Sequence, residues 1–495
     1  TWTTAATGAL IFGNPPVAFV DGGRLALTTY YYRALAEDTG GRVSDYCATV
    51  SVTTSAQIVS GFAPNHPHLG IGSPQPQVWG NTANWARFAQ LAHCEWTHYS
   101  GAESVAGRTL RSTIDGIKAL VPASMGAVPI HVAYIVNNEV NKTLGGVTAD
   151  FRTKLAAEGW YLYVTGGSGT IVQSTWDPPN FHAINNTGNA LVDGSGDTWI
   201  KWFFREMYTQ NVTGNASNTA NPSLDGFVLD NCFWRARVDG DFDRSGSTDA
   251  AANSAYALAS RTGLKNHFDY ARSQWPTARA QWGNISDLPE CGNPDFYNNA
   301  YTPDYSLVEP LLGLIDGGTC EALTDFAFSK EYQTKDDLVN PLTGFWAIRN
   351  WMRFLHGICA NTSGILYKIE DVVGDNSSAD NQRLRFGTAA VNVCSNGGTQ
   401  DNYLMNWATL PLIYTNGTNV GWLGQPRTTP RWSPYVSNVY VREFDNGYVA
   451  VNPRNNGSRT FTLPVALRNV VTGTSYAANA SIPIADRDGA FLVKI

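Results

Sequence analysis

Charge is scarce in this chain: only 15% of its 495 residues are Asp, Glu, Lys or Arg, where a soluble domain ordinarily carries about a quarter. No run approaches the ~18 consecutive apolar residues of a membrane-spanning helix, so no membrane span is expected. No basic block interrupts a net charge of −7, which argues against a nucleic-acid partner. The seven cysteines never fall into C-x-x-C spacing, so a zinc site is not expected. A G-x-S-x-G elbow, a Walker loop and a zinc-protease helix are all missing, which sets aside α/β-hydrolases, P-loop enzymes and zincins. The 47 glycines and 24 prolines follow no period, and 43% of residues are hydrophobic, which excludes collagen and wholesale disorder.

What the chain has is aromatic surface in excess. Sixteen Trp and 22 Tyr exceed the needs of a core, and such side chains suit a surface that stacks on flat, semi-polar ligands such as sugar rings. The chain starts at Thr1 with no signal-like apolar stretch, consistent with an export signal already removed. Dispersed cysteines suit disulfides in an oxidising compartment. Sequons at Asn141, Asn211, Asn284, Asn376 and Asn456 fit a glycoprotein. The expectation is a secreted or cell-surface protein.

Three textures follow one another. Residues 1–85 are turn-rich, with Asn14-Pro15-Pro16, Asp21-Gly22-Gly23 and the Pro, His and Gly run from Pro64 to Pro76, and read as a leading segment packed on the main body. From 86 to 426 strand-like runs alternate with helical patterns at the βα rhythm of a parallel sheet. The strand candidates are 91–99, 128–136, 159–164, 226–230, 278–283, 314–321, 364–370 and 402–407. Helical stretches at 113–120, 199–208, 251–274, 345–355 and 381–393 fall between them. Eight strands with crossovers is the number that closes a (β/α)8 barrel, whose chemistry sits at the C-terminal strand ends; no G-x-G-x-x-G follows the first strand to favour an open doubly wound sheet. From 427 to 495 short strands surround Asp445-Asn446-Gly447, where Asn-Gly is expected to supply the positive φ of a tight hairpin. This stretch reads as an antiparallel β-sandwich domain docked on the barrel.

One spacing occurs twice. Asp225-Gly226-Phe227-Val228-Leu229-Asp230 and Asp316-Gly317-Gly318-Thr319-Cys320-Glu321 share the form D-G-x-x-x-[DE], on strand candidates four and six. In a barrel those ends open on one face, so Asp230 and Glu321 would face a common pocket. Two carboxyls about 5 Å apart serve as nucleophile and acid/base of a retaining glycosidase, and a wider gap makes an inverting one. A random acidic pair would sooner cap a loop or meet an arginine; matched strand ends in an aromatic-rich barrel bring the two readings level.

The run Leu224 to Asn231, followed by a Trp and an acidic loop, resembles the fourth strand of glycoside-hydrolase-like TIM-barrel families. Gly424-Gln425-Pro426, then Val439 to Gly447 and Val451-Asn452-Pro453, is similar to their junction and C-terminal β-domain. The resemblance runs over roughly residues 90–495. Related α-glycosidase barrels carry an Asp nucleophile at the end of strand four and the acid/base at the end of strand six, which the resemblance carries over onto Asp230 and Glu321.

By position, Asn138, Glu139, Trp234, Trp282, Asn284, Glu370 and Asp371 are candidates to hold sugar hydroxyls or stack on rings, each weighed against an ordinary loop role. His93 and His98 read as barrel or rim residues. The loop Asp239 to Asp249, read from Asp241 as D-x-D-x-S-G-x-x-D, has the oxygen spacing of a calcium loop. Asp241, Asp243, Ser245, Ser247 and Asp249 would hold a structural Ca²⁺, although Ala252 replaces the bidentate Glu of an EF-hand. Disulfides are expected between Cys47 and Cys94 and between Cys359 and Cys394, the second closing a loop worth about 3–4 kcal/mol. The composite reading is a secreted retaining glycoside hydrolase acting on an extracellular polysaccharide. Its alternative is a non-catalytic glycan-binding surface or filament protein on the same scaffold, with self-assembly or surface attachment; a lyase or esterase has no positive support.

Overall fold

The computed structural model describes residues 29–32, 48–53, 69–72, 79–96, 104–105, 107–122, 128–145, 147–174, 177–213, 220–232, 236–251, 254–274, 280–284, 315, 317–321, 364–369, 378–394, 401–406, 422–427, 439–453 and 456–495. Its centre is a ring of eight parallel strands: β1 (Leu69–Gly72), β2 (His93–Trp96), β3 (Ile130–Ile135), β4 (Gly226–Leu229), β5 (Ala280–Asn284), β6 (Gly317–Glu321), β7 (Gly364–Ile369) and β8 (Asp401–Asn406). Each pairs with its neighbours in that order, β8 pairs with β1, and the sheet closes. All four residues of β4 and of β2 are buried, as expected of strands covered on both faces. The interior is packed: the His93 and Trp282 rings meet edge-on at 5.7 Å although β2 and β5 are not neighbours, so both side chains cross the barrel's inside.

Helices are described in several crossovers. These are α1 (Leu110–Ala119) between β2 and β3, α2 (Val147–Glu158) and α3 (Trp199–Tyr208) between β3 and β4, α4 (Ser254–Gln274) before β5, and α5 (Ser378–Cys394) before β8. Local sequence explains α1. Thr109 caps it by accepting from the Ser112 N–H at 3.1 Å, and Leu110, Thr113, Ile114 and Ile117 are its buried residues, the i, i+3, i+4, i+7 stripe of a core-facing helix. No helix among the described residues is long and apolar enough to cross a membrane.

Two expectations about the strands are corrected. The run 159–164 is not a barrel strand. Its alternating Tyr-Leu-Tyr-Val pattern is satisfied locally by isolated bridges from Tyr161 to Ile184 and from Tyr163 to Ile171, within an excursion between β3 and β4. The first barrel strand is instead Leu-Gly-Ile-Gly at 69–72, so the barrel begins inside the segment 1–85 rather than at 86. Glycines that look like punctuation in sequence have a tertiary cause here. A Cβ on Gly70 would lie 1.9 Å from the His93 ring, so the bare backbone of β1 makes room for the imidazole inside the barrel. One strand lost and one gained leave Asp230 after strand four and Glu321 on strand six.

At the C-terminus, β9 (Tyr440–Glu443), β10 (Gly447–Asn452), β12 (Leu467–Asn469), β13 (Ser475–Tyr476) and β15 (Asp488–Lys494) form one antiparallel sheet in the order β9-β10-β15-β12-β13, while β11 (Arg459–Thr462) pairs with β14 (Ser481–Ile484). Period-2 alternation sorts the faces. Tyr448, Ala450, Ala490 and Leu492 join Phe461, Ile482 and Ile484 in a core between the two sheets. Val449, Val451, Phe491 and Val493 join the core that holds Phe386, Ala389 and Val393 of α5. The docking is sealed by a bidentate ion pair, Arg385 Nε and Nη2 to the Asp488 carboxylate at 2.8 Å each.

The hairpin turn is also corrected. Phe444 and Gly447 bond to each other across Asp445 and Asn446, and none of these four has positive φ. Gly447 is required for a different reason: a Cβ there would lie 2.0 Å from the Leu492 carbonyl oxygen, part of the central strand and unable to yield. Gly447→Ala is therefore expected to destabilise the β-domain by about 1–3 kcal/mol or more, read as a lowered midpoint in a urea titration, while Asn446→Ala costs little.

Among the described cysteines, Cys94 and Cys232 are free and buried, and burial pushes both thiols up. The expected Cys47–Cys94 bridge is thus not formed; Cys94 is spent on packing in the barrel wall. Cys47, Cys359 and the side chain of Cys394 lie outside the described residues. The sequons at Asn284 and Asn456 are also corrected. Both side chains are buried, with amides donating to Asp230 and to Asn452 at 2.7 Å each, so the folded chain has no acceptor for a glycan at either.

Candidate active site at the mouth of the barrel

Asp230 follows β4 at its C-terminal end. Its backbone N–H donates to the Ile135 carbonyl at 2.8 Å, which continues the β3–β4 pairing one residue past the strand. The side chain, 8% exposed, is held from both neighbouring strands. Tyr134 of β3 donates its hydroxyl to Oδ2, and Asn284, the last residue of β5, donates Nδ2 to Oδ1 at 2.7 Å. Register explains the triad: Tyr134, Val228 and Trp282 are level on adjacent strands, and the same face recurs two residues on at Asp230 and Asn284. Donors on both oxygens fix the plane of the carboxyl group. Asn231 then turns the chain away in the left-handed region at φ 54°, which Asn tolerates better than most residues.

Beside this residue opens a cleft of about 670 Å³, part of it open solvent, bounded by Asn137, Asn138 and Glu139 after β3, the excursion through Ser174 and Asn186, and the loop after β4 through Asn231 and Arg237. Glu139 is half-buried there. Burial pushes its carboxyl above the usual carboxylate range, the Ser174 hydroxyl that donates to Oε2 opposes this, and the Asp230 charge adds to it. His267 of α4 closes the floor. Burial lowers it to about 3, so it is neutral at working pH, with Nδ1 against the Asn137 amide at 2.7 Å.

The Glu139 shift has a sign that can be measured. A carboxyl raised on folding binds more protons in the native than in the unfolded chain, so stability falls as pH rises from the ordinary carboxylate value through the raised one. Glu139→Gln is expected to flatten that limb. Thermal melts of both proteins from pH 4 upward check it; parallel curves would contradict the assignment.

The structure distributes the predicted residues unevenly. Asn138 and Glu139 line the cleft. Asn284 is not a wall residue but the partner of Asp230. Trp282 is fully buried inside the barrel, so it is corrected from ring platform to core. Glu321 ends β6 with its backbone two residues beyond Thr319, which is level with Asn284; its side chain, and Trp234, Glu370 and Asp371, lie outside the described residues. Asp241, Asp243 and Asp249 converge in the loop after β4. Residues missed in sequence are Tyr134, Ser174 and His267. Tyr134 was legible from the alternation of β3, whereas Ser174 and His267 arrive from distant segments.

No family model matches the chain, and no curated protein does. Solved structures similar to it include the cycloalternan-forming enzyme from Listeria monocytogenes in complex with a pentasaccharide substrate (10% identity, TM-score 0.38, 92% of this chain and 44% of that one). A Flavobacterium johnsoniae GH31 dextranase has 9% identity and TM-score 0.39, over 89% and 53%. A maltogenic amylase from S. marinus has 8% identity and TM-score 0.41, over 94% and 74%. The chain spans about half the length of the first two.

Proposed function

We propose that this chain is a secreted or cell-surface glycoside hydrolase of the retaining type, acting on an extracellular polysaccharide and built as a (β/α)8 barrel with a C-terminal β-sandwich. The observation that carries this reading is Asp230: a carboxylate at a barrel strand's C-terminal end, oriented by Tyr134 and Asn284 and followed in the chain by Asn231, which lines the adjoining cleft. Asp230 would attack the anomeric carbon as a carboxyl group on the other side protonates the departing glycosidic oxygen. A covalent glycosyl-enzyme forms, and water, deprotonated by that same second group, releases the sugar.

Two residues compete for the proton role. Glu321 is favoured by its place at the end of β6. Glu139 is favoured by its raised pKa in the cleft and by the reach of the Asp230 charge to it, the environment that keeps a carboxyl protonated until needed. A glycan-library hydrolysis screen of wild type tests the function. Glu321→Gln and Glu139→Gln then separate the roles: the acid/base variant still cleaves aryl glycosides with good leaving groups but loses natural glycans. Glycan binding without turnover under all conditions would replace the enzyme reading with the non-catalytic one.

A further inference from the structure

We propose that the loop Asp241 to Asp249 is a calcium site that fastens the excursion between β3 and β4 to the wall of the cleft. One carboxylate oxygen from each of Asp241, Asp243 and Asp249 lies within 4.8 Å of the others. One hard cation can draw an oxygen from each, and Ca²⁺, with ligands at about 2.3–2.6 Å and a tolerant geometry, suits such an irregular set better than Mg²⁺, which demands a near-ideal octahedron. An acidic cluster alone would be ordinary on a surface, but Asp241 is 2% exposed. Its Oδ2 accepts the N–H groups of Gly246, at 2.9 Å, and of Gly166. Its Oδ1 is buried and has no hydrogen-bond partner, although a buried carboxylate oxygen costs free energy unless something compensates it.

The neighbouring cation does not supply that compensation. Arg244, in the left-handed region at φ 62°, turns its guanidinium away to the Gly159 carbonyl. The remaining contacts hold the acids in place: Ser245 N–H donates to Asp243 Oδ1, and Phe242 N–H to Asp249 Oδ2, at 2.9 Å each. Three carboxylates this close repel one another unless a cation sits between them.

The ion's work follows from what the loop touches. Asp241 N–H donates to the Tyr163 carbonyl at 2.8 Å, Thr248 Oγ1 to the Val164 carbonyl at 2.7 Å, and Asp241 itself takes the Gly166 N–H. Phe242 and Leu162, one from each segment, both line the cleft. A filled site would hold those two walls together.

The test is metal-dependent stability. After EDTA treatment and gel filtration, the protein is melted against CaCl₂ and, separately, MgCl₂. Calcium at a hundredfold excess over its Kd should raise the folded-to-unfolded ratio about a hundredfold. Terbium luminescence gives a second readout, since the Tyr256 hydroxyl donates to Asp243 Oδ2 at 3.1 Å and places a sensitising ring beside the ion. Asp243→Asn, at an exposed position that folding tolerates, should weaken both signals at least tenfold, and Asp241→Asn should abolish them. A melting temperature indifferent to EDTA and calcium, equal stabilisation by magnesium, or terbium emission unchanged in Asp243→Asn would each overturn the proposal. None of these readouts depends on glycosidase activity.

Discussion

Asp230→Asn is expected to lower turnover on a glycan found by screening by about four orders of magnitude while leaving the melting temperature unchanged. The substitution removes a nucleophile whose contribution is made mainly in the transition state, so kcat should carry the loss and KM should change little. Folding should tolerate it because both partners can adapt. The carbonyl of the introduced amide would still accept from the Asn284 amide, and the Tyr134 hydroxyl, a donor now, can accept from the new amide nitrogen. Tyr134→Phe and Asn284→Ala should cost less, since they loosen the carboxylate rather than delete it. Equal turnover in wild type and Asp230→Asn would end the assignment.

Trp282→Ala is expected to destabilise the chain by about 3–5 kcal/mol, the range for truncating a large aromatic in a packed core. The ring is fully buried and meets His93 across the barrel, so its loss leaves a void that two rigid, non-adjacent strands cannot collapse around. Trp282→Phe should cost much less. A sugar-stacking platform would behave in the opposite way, with glycan affinity falling and the denaturation midpoint unmoved. Chemical denaturation and binding isotherms on the same variants separate the two.

Much of the barrel was legible because its signals are local. The strand 226–229, the helix 199–208 and the helix 254–274 each carry their own period, and each appears where the pattern puts it. The errors came where a local pattern is answered by something distant. Leu69–Gly72 is too short and glycine-rich to read as a strand, and the reason for its glycine at 70 is a histidine 23 residues later that fills the space. The run 159–164 has a strand's alternation but finds its partners within 25 residues, at Ile171 and Ile184, rather than in the barrel. Gly447 was read for its backbone freedom, whereas what excludes a side chain there is the Leu492 carbonyl.

The site divides along the same line. By itself the sequence determined that Asp230 and Glu321 would each stand at the C-terminal end of a strand, and that Asp241, Asp243 and Asp249 would be spaced to converge, because these follow from periods and offsets within one segment. Only the tertiary structure decided that Trp282 and Asn284, two residues apart on one strand, would do different things. The same inward face carries both, but Trp282 lies one level deeper, inside the barrel, while Asn284 reaches the level of Asp230 and holds it. Only the tertiary structure, too, brought Ser174 to Glu139 and His267 to Asn137. Partners 35 and 130 residues apart leave no periodic trace, since what joins them is the path of the excursion and the packing of α4 against the barrel.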